Sequence, residues 1–183
     1  MTSISGTTAL TLGYDTQGNL TSRGGAAYVF DQGNRMSSAT GKASYVYDGW
    51  GRRVKLAKTD GTTVIQVYSM EGKLLYGSSA VGAATPTESR YIYLKDHLLA
   101  EAGVAYVHTD GLGSPIARTG PTGTALTRTR YEPYGLTAAG TAPATIGFTG
   151  HVNDTDTALG YMQQRYYDPV VGRFMRPIHC SRM

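Results

Sequence analysis

The sequence predicts an all-β fold built from antiparallel β-hairpins. Turn signals containing Asp and Gly recur at intervals of roughly 8–12 residues, a spacing typical of an antiparallel meander. The segments between them are rich in Tyr, Val and Thr, and their aromatic residues alternate with period two. The chain of 183 residues contains 24 glycines and 14 tyrosines, which suits many turns joined by aromatic strands.

The strands follow one another along the chain. The first, "TALTLGY", is β-branched and aromatic, and "YVF", "YVY", "TTVIQVYS", "YIY" and "YVH" come after it. Alternation places both rings of each short triplet on one face of a strand. We expect these tyrosines to pack between neighbouring hairpins. An alternative stays open, in which exposed tyrosines and Trp50 line a carbohydrate- or protein-binding surface.

The turns share one chemistry, Asp-x-x-Gly. The Asp carboxylate accepts hydrogen bonds from amides of the turn, and the Gly adopts the left-handed conformation that closes a type I turn with a bulge. "DTQG", "DGWG" and "DGLG" are examples, and "EPYG" adds a proline that preorganises the turn. A device repeated six or seven times indicates a fold element rather than a single active site.

The turns belong to a degenerate repeat with one hairpin per unit. We place the repeat hairpins at residues 1–76, a Gly/Ala/Thr/Ser-rich loop at 77–90 and a less regular core region at 91–177. Residues 178–183 form a divergent tail.

Composition argues against several classes of protein. The single cysteine, Cys180, excludes an internal disulfide, and no apolar run approaches the length of a membrane span. The N-terminus has no signal-peptide pattern. The net charge is +4, and the basic side chains are scattered. We therefore expect the cluster at Arg52, Arg53 and Lys55 to be a solvated face and not a nucleic-acid site.

The order of the motifs resembles the YD-repeat, or Rhs, family. "YVHTDGLGSPIARTGPTG", "RYEPYG" and "GFTGHVNDTDTALGYMQQRYYDPVVGRF" follow one another as they do in the Rhs repeat-associated core. The residues that carry the signature are Tyr14, Asp15, Gly18, Phe30, Asp31, Tyr47, Asp48, Gly51, Arg52, Asp110, Gly113, Pro133, Gly135, Arg165, Tyr166, Tyr167, Asp168, Pro169, Gly172, Arg173 and Phe174.

The resemblance implies part of a spiral β-sheet shell. It also implies as partners the remainder of a larger shell and a C-terminal toxin cargo, in a secreted or cell-surface protein. In many family members an Asp-Pro-x-Gly motif after the "GRF" motif supports self-cleavage. Here the residues after Pro177 are "IHCSRM" and lack that aspartate. We therefore expect a chain truncated after the "GRF" motif, without self-cleavage.

The remaining polar residues predict no catalytic centre. Asp154 and Asp156 are close in sequence, but turn capping explains them better than paired-carboxylate catalysis or a Ca²⁺ site. Asp168-Pro169 fits a structural turn. The four histidines lack metal-ligand spacing, and His179-Cys180 alone is not a site. The sequence thus predicts a structural protein with no enzymatic activity, cofactor or metal.

Overall fold

The structure, a computed structural model, describes residues 3–4 and 9–177. Within them, fifteen strands form one antiparallel sheet in which each strand pairs with its neighbours in the sequence. The strands of this large sheet are β1 (Ser3–Ile4), β2 (Leu10–Tyr14), β3 (Leu20–Arg23), β4 (Ala26–Phe30), β5 (Met36–Ala39), β6 (Ala43–Tyr47), β7 (Arg53–Lys58), β8 (Thr62–Tyr68), β9 (Leu74–Val81), β10 (Thr87–Leu94), β11 (His97–Glu101), β12 (Ala105–Thr109), β13 (Pro115–Thr119), β14 (Ala125–Tyr131) and β15 (Thr137–Gly140).

A second, small sheet follows at the C-terminal end. A single 3₁₀ turn, Phe148–Gly150, precedes it. Its four strands are β16 (Val152–Asp154), β17 (Leu159–Met162), β18 (Arg165–Asp168) and β19 (Arg173–Phe174). The fold is therefore all-β, as the sequence predicts. Among the described residues, no helix has the length and hydrophobicity that crossing a lipid bilayer requires.

The Asp-x-x-Gly turns lie along one rim of the large sheet, because alternate connections of a meander share the same edge. In the first of them, the amide of Gly18 donates to the carbonyl of Asp15 at 3.1 Å, and the φ angle of Gly18 is 83°. A register shift accompanies these turns, such as the one between Val46 and Tyr47. A bulge of this kind increases the local twist of a strand pair. Repeated along one rim, the bulges bend the sheet.

The large sheet has an inner, buried face and an outer, solvated face. On β6, Ala43 and Tyr45 are buried, whereas Val46 between Tyr45 and Tyr47 is half exposed. The same alternation recurs on β12, where Val107 is buried and its neighbours are not. The triplets "YVF", "YVY" and "YIY" therefore direct their rings inward, which confirms packing for Tyr28, Tyr45 and Tyr91. The triplet "YVH" has the opposite orientation, with Val107 inward and Tyr106 55% exposed.

The sheet curls around the small sheet. The hydroxyl of Tyr167 donates to the carbonyl of Tyr134, just after β14, while the adjacent Asp168 forms an ion pair with Arg23 on β3. Strands β3 and β14 are eleven positions apart in the sheet. A flat sheet would separate them by about 53 Å at roughly 4.8 Å per strand. Tyr167 and Asp168 are adjacent in the chain, so they can contact the end of β14 and β3 at the same time only if the sheet is strongly curved.

One sequence prediction about organisation is wrong. Residues 77–90 are not a loop: Gly77 lies in β9 opposite Ser89 of β10, and only a short turn at 82–86 joins the two strands. The large sheet crosses this region without interruption, so the structural division lies between β15 and β16. The division of the chain into repeat and core regions stays a prediction. The predicted tail at 178–183, with the missing cleavage aspartate, lies outside the described residues.

Candidate functional site at the contact between the two sheets

A buried arginine lies at the centre of the contact between the two sheets. Arg53 begins β7 and exposes only 1% of its surface. Its Nη1 donates to Asp154 Oδ2 at 2.8 Å and to the hydroxyl of Tyr166 at 2.7 Å, both on the small sheet. Gln66 on β8 accepts from Nε at 3.4 Å, and Tyr45 on β6 donates to the same Asp154 oxygen at 3.3 Å. Five strands thus converge on one guanidinium.

Three tyrosine rings enclose this guanidinium. Its carbon lies 4.6 Å from the ring centroid of Tyr161, 5.3 Å from that of Tyr45 and 5.5 Å from that of Tyr166. The hydroxyl of Tyr161 also accepts the backbone N–H of Arg53 at 2.7 Å. A planar cation among aromatic faces gains cation–π attraction that is strongest where water is excluded. This arrangement suits Arg and not Lys.

The environment shifts the pKa values of these groups. Burial raises the pKa of Tyr161 to about 12 and that of Tyr166 well above its usual value. For Arg53, burial acts to lower the pKa of the guanidinium, but Tyr166 and Asp154 outweigh it and hold the pKa above its usual value. At neutral pH the cluster therefore contains a charged arginine and neutral tyrosines.

The buried ion pair corrects two sequence predictions. Arg53 is not on a solvated face, and Asp154 is not simply a turn cap, since its side chain is 2% exposed and its charge is matched by Arg53. Asp156 pairs separately with Lys58 at 2.7 Å. The two carboxylates therefore do not share a proton, which paired-carboxylate catalysis requires. Arg53 and Asp154 are 101 residues apart in sequence, so no local signal reveals the pair.

A second set of contacts ties the end of the small sheet to the first hairpins. Asp168, 1% exposed, forms an ion pair with Arg23 of β3. The same carboxylate accepts the amide of Val170 at 2.9 Å, so Asp168 both closes its turn and joins the sheets. The amide of Leu20 donates to the carbonyl of Met175 at 2.7 Å. The structural role predicted for Asp168-Pro169 is consistent with this geometry.

The rim turns support one another in a ladder of side-chain contacts. Asp48 Oδ1 accepts the amides of Trp50 and Arg52 at 2.9 and 2.8 Å, and its Oδ2 accepts from Arg52 Nε at 2.8 Å. Arg52 then donates to the carbonyl of Ser69 in the next turn at 2.7 Å. This turn is thus closed locally by Asp48 and linked to the next turn by Arg52, the residue after its glycine.

The predicted signature residues fall into two places. The rim turns and the strand ends beside them contain Tyr14, Asp15, Gly18, Phe30, Asp31, Tyr47, Asp48, Gly51, Arg52, Asp110, Gly113, Pro133 and Gly135. The last hairpin of the small sheet contains Arg165, Tyr166, Tyr167, Asp168, Pro169, Gly172, Arg173 and Phe174. Of these, Tyr166 and Asp168 reach the large sheet through Arg53 and Arg23. That these residues form a signature of the family stays a prediction.

Sequence reasoning missed Arg53, Asp154 and Asn19 as residues of the site. The side chain of Asn19 is fully buried, and its Nδ2 donates to Asp15 at 2.8 Å and to Asn34 in the next turn at 2.9 Å. Its position four residues after the turn aspartate, where Arg35 and Arg52 stand in other units, is a usable signal. Within residues 3–4 and 9–177, no group of His, Cys, Asp and Glu side chains has metal-site geometry.

The sequence is similar to proteins that are much longer. It matches the family model described as "Teneurin YD-shell" over residues 3–181. It is 30% identical to Teneurin-1 of Gallus gallus over 182 residues, covering 90% of this chain and 7% of that protein. It is 26% identical to the tRNA nuclease WapA of Bacillus subtilis over 185 residues, covering 90% of this chain and 8% of that protein.

Solved structures share the fold. The Tc holotoxin pore of Photorhabdus luminescens aligns with a TM-score of 0.61 at 20% identity, covering 95% of this chain and 9% of that one. The crystal structure of TcdB2-TccC3 aligns with a TM-score of 0.58 at 21% identity, covering 91% of this chain and 9% of that one. With the repeat turns, the curled sheet and the family match over nearly the whole length, the chain belongs to the teneurin YD-shell family.

Proposed function

We propose that this chain is a wall segment of a YD-repeat shell that encloses or presents a C-terminal toxin cargo. The observation that carries the proposal is the small sheet held against the inner face of the curved large sheet by Arg53–Asp154 and Arg23–Asp168. This arrangement gives the wall a fixed curvature and a defined interior. The proposal includes a location outside the cell or at its surface, and a structural rather than enzymatic role.

The free edge of the wall supports a role as one segment of a larger assembly. Among the described residues, β15 pairs with β14 and with no other strand. An unpaired edge presents backbone N–H and C=O groups that another strand can complete. The relatives are more than ten times longer than this chain, since it covers 6–8% of their length. Further hairpins would complete such an edge in the assembled shell.

Association in solution tests the proposal. We expect the average mass measured by analytical ultracentrifugation to rise with protein concentration, because isolated wall segments pair through their edges. Ala139→Glu places a charge on edge strand β15 opposite Arg130 and should reduce this association. Ser44→Glu adds the same charge to an exposed position of β6 that pairs with both β5 and β7, and should leave association unchanged.

Two results would contradict the wall-segment role. One is a monomer at every concentration. The other is an intact mass that shortens with time in the purified protein, because loss of a defined fragment would indicate self-cleavage and revive an enzymatic role.

A further inference from the structure

Three turns meet around a half-open recess on the rim of the molecule. The recess has a volume of ≈ 200 Å³ and lies between the turn after β6, the turn after β8 and the β17–β18 turn of the small sheet. Pockets for drug-sized ligands typically measure roughly 300–1,000 Å³. A recess of this size therefore suits a single small ring.

The recess presents the protein's single tryptophan in a fixed orientation. Trp50 is 65% exposed although it is a large apolar side chain. The guanidinium carbon of Arg52 lies 4.8 Å from the centroid of its ring. Arg52 is itself held by Asp48 and by the carbonyl of Ser69. One face of the indole is thus supported by a rigid cation, and its exposed surface is available for stacking.

Two glutamines supply oriented polar groups beside the indole. Gln164 Nε2 donates to the carbonyl of Trp50 at 2.9 Å, and Gln163 Nε2 donates to the carbonyl of Glu71 at 3.2 Å. Both amide oxygens stay available as acceptors among the described residues. Gln163 has a φ of 57°, a strained conformation for a residue other than glycine. The two-residue turn between β17 and β18 uses this positive φ, which fixes the backbone from which the Gln163 side chain extends.

Gly72 leaves the space that Gln163 occupies. A Cβ atom at position 72 would lie 2.5 Å from Gln163 Nε2, closer than real Cβ contacts allow. The hairpin tip of the small sheet can therefore lie directly against the rim of the large sheet. The recess forms only when the two sheets are docked.

The charge of the recess selects among ligands. Arg52 is neutralised by Asp48 in an ion pair of 2.8 Å. The exposed carboxylate of Glu71 forms no ion pair with the described residues, so the recess is negative overall. An anionic ligand would be repelled. A neutral ligand with hydroxyl groups could donate to the glutamine oxygens and to Glu71.

We propose that this recess binds one neutral pyranose unit of a glycan. The apolar face of the sugar ring stacks on Trp50, and its hydroxyls donate to Gln163, Gln164 and Glu71. An exposed aromatic platform beside a few oriented polar groups gives a ring ligand both contact area and orientation. This site goes beyond the wall-segment function, which can hold whether or not the wall binds sugar.

Fluorescence of Trp50 reports directly on the site, because the chain has no other tryptophan. The purified chain is titrated with the methyl glycosides of glucose, galactose, mannose and N-acetylglucosamine, and with glucuronic acid as the anionic probe. We expect at least one neutral glycoside to change the fluorescence saturably, and glucuronic acid to have no effect. Calorimetry on Trp50→Ala should show an affinity at least about tenfold weaker. Tyr106→Ala, at another exposed aromatic residue of the large sheet, should bind as the unmodified chain does.

A second variant keeps the test decisive if Trp50→Ala does not fold. Glu71 is exposed, and Glu71→Lys reverses the charge of the recess without altering the indole. We expect this variant to gain affinity for glucuronic acid. The site assignment is overturned if the whole panel of neutral glycosides fails to bind, if glucuronic acid is preferred by the unmodified chain, or if folded Trp50→Ala binds with unchanged affinity.

Discussion

At the scale of single residues, the glycine of each Asp-x-x-Gly turn is required by backbone conformation. Gly51 has a φ of 77°, and the nearest atom to a Cβ at this position would be 3.5 Å away. Space is therefore adequate, and the constraint is the left-handed conformation itself. The local sequence predicts this requirement, because the aspartate and the glycine that define the turn are only three positions apart.

Replacing Gly51 should destabilise the fold through the backbone alone. The left-handed conformation costs a non-glycine residue roughly 1–2 kcal/mol, and more for a β-branched one. We expect Gly51→Val to lower the melting temperature clearly. Gly49→Val is the matched control, since Gly49 has no positive φ and no atom within 4 Å of its Cβ position. Equal melting temperatures for the two variants would refute the turn assignment.

Arg53 and Asp154 should behave as one unit. Removing a single partner leaves an uncompensated buried charge, which typically costs about 3–5 kcal/mol. We expect Arg53→Met and Asp154→Leu each to lower the free energy of unfolding by that order, as measured by urea denaturation. The double variant should be less destabilised than the sum of the two. Additive losses would show that the ion pair does not couple the two sheets.

At the scale of elements, the sequence predicts the strands of the first hairpins better than it predicts β9, which forms by pairing with β8. Local turn chemistry and period-two aromatics indicate where β2 to β8 begin and end. The sequence of residues 77–90 predicts a loop, because glycine, alanine and serine give no strand pattern. Strand β9 nevertheless forms, since residues 74–81 pair along the whole length of β8. Here the neighbouring strand, and not local propensity, decides the structure.

The tyrosines between the sheets should make the contact sensitive to alkali. The pKa of Tyr161 is raised to about 12 by burial, against about 10 in an unfolded chain. The folded state therefore holds its proton more tightly, and the stability gained is present below pH 10 and is lost as the pH rises towards 12. Ultraviolet absorbance of tyrosinate and circular dichroism, recorded over this range, should show ionisation of the buried tyrosines together with unfolding. Ionisation of every tyrosine near pH 10 with the fold intact would contradict their burial.

At the scale of the whole molecule, the contact between the two sheets could not be read from sequence. Arg23 and Asp168 are 145 residues apart, and each stands in a segment whose local pattern indicates only a strand or a turn. The resemblance to a shell family predicts a spiral sheet. The position of the small sheet on the inner face, and the ion pairs that hold it, came from the structure.

The curvature of the large sheet is the central claim, and one distance tests it. A Cβ at Gly18 would lie 3.3 Å from Pro177, and one at Gly172 would lie 3.5 Å from Tyr134. Gly172 and Pro177 are five positions apart in the chain, and five residues of extended chain span at most about 18 Å. The turn after β2 and the turn after β14 should therefore lie within about 30 Å of each other, whereas a flat sheet would place them about 58 Å apart at roughly 4.8 Å per strand.

Spin labels at two exposed turn positions measure this distance. With Cys180→Ser as background, Gln17→Cys and Tyr134→Cys provide the attachment points for double electron–electron resonance. The curled wall predicts a distance distribution centred below about 35 Å once the label linkers are included. A distribution centred above about 50 Å, near the flat-sheet separation, would contradict it.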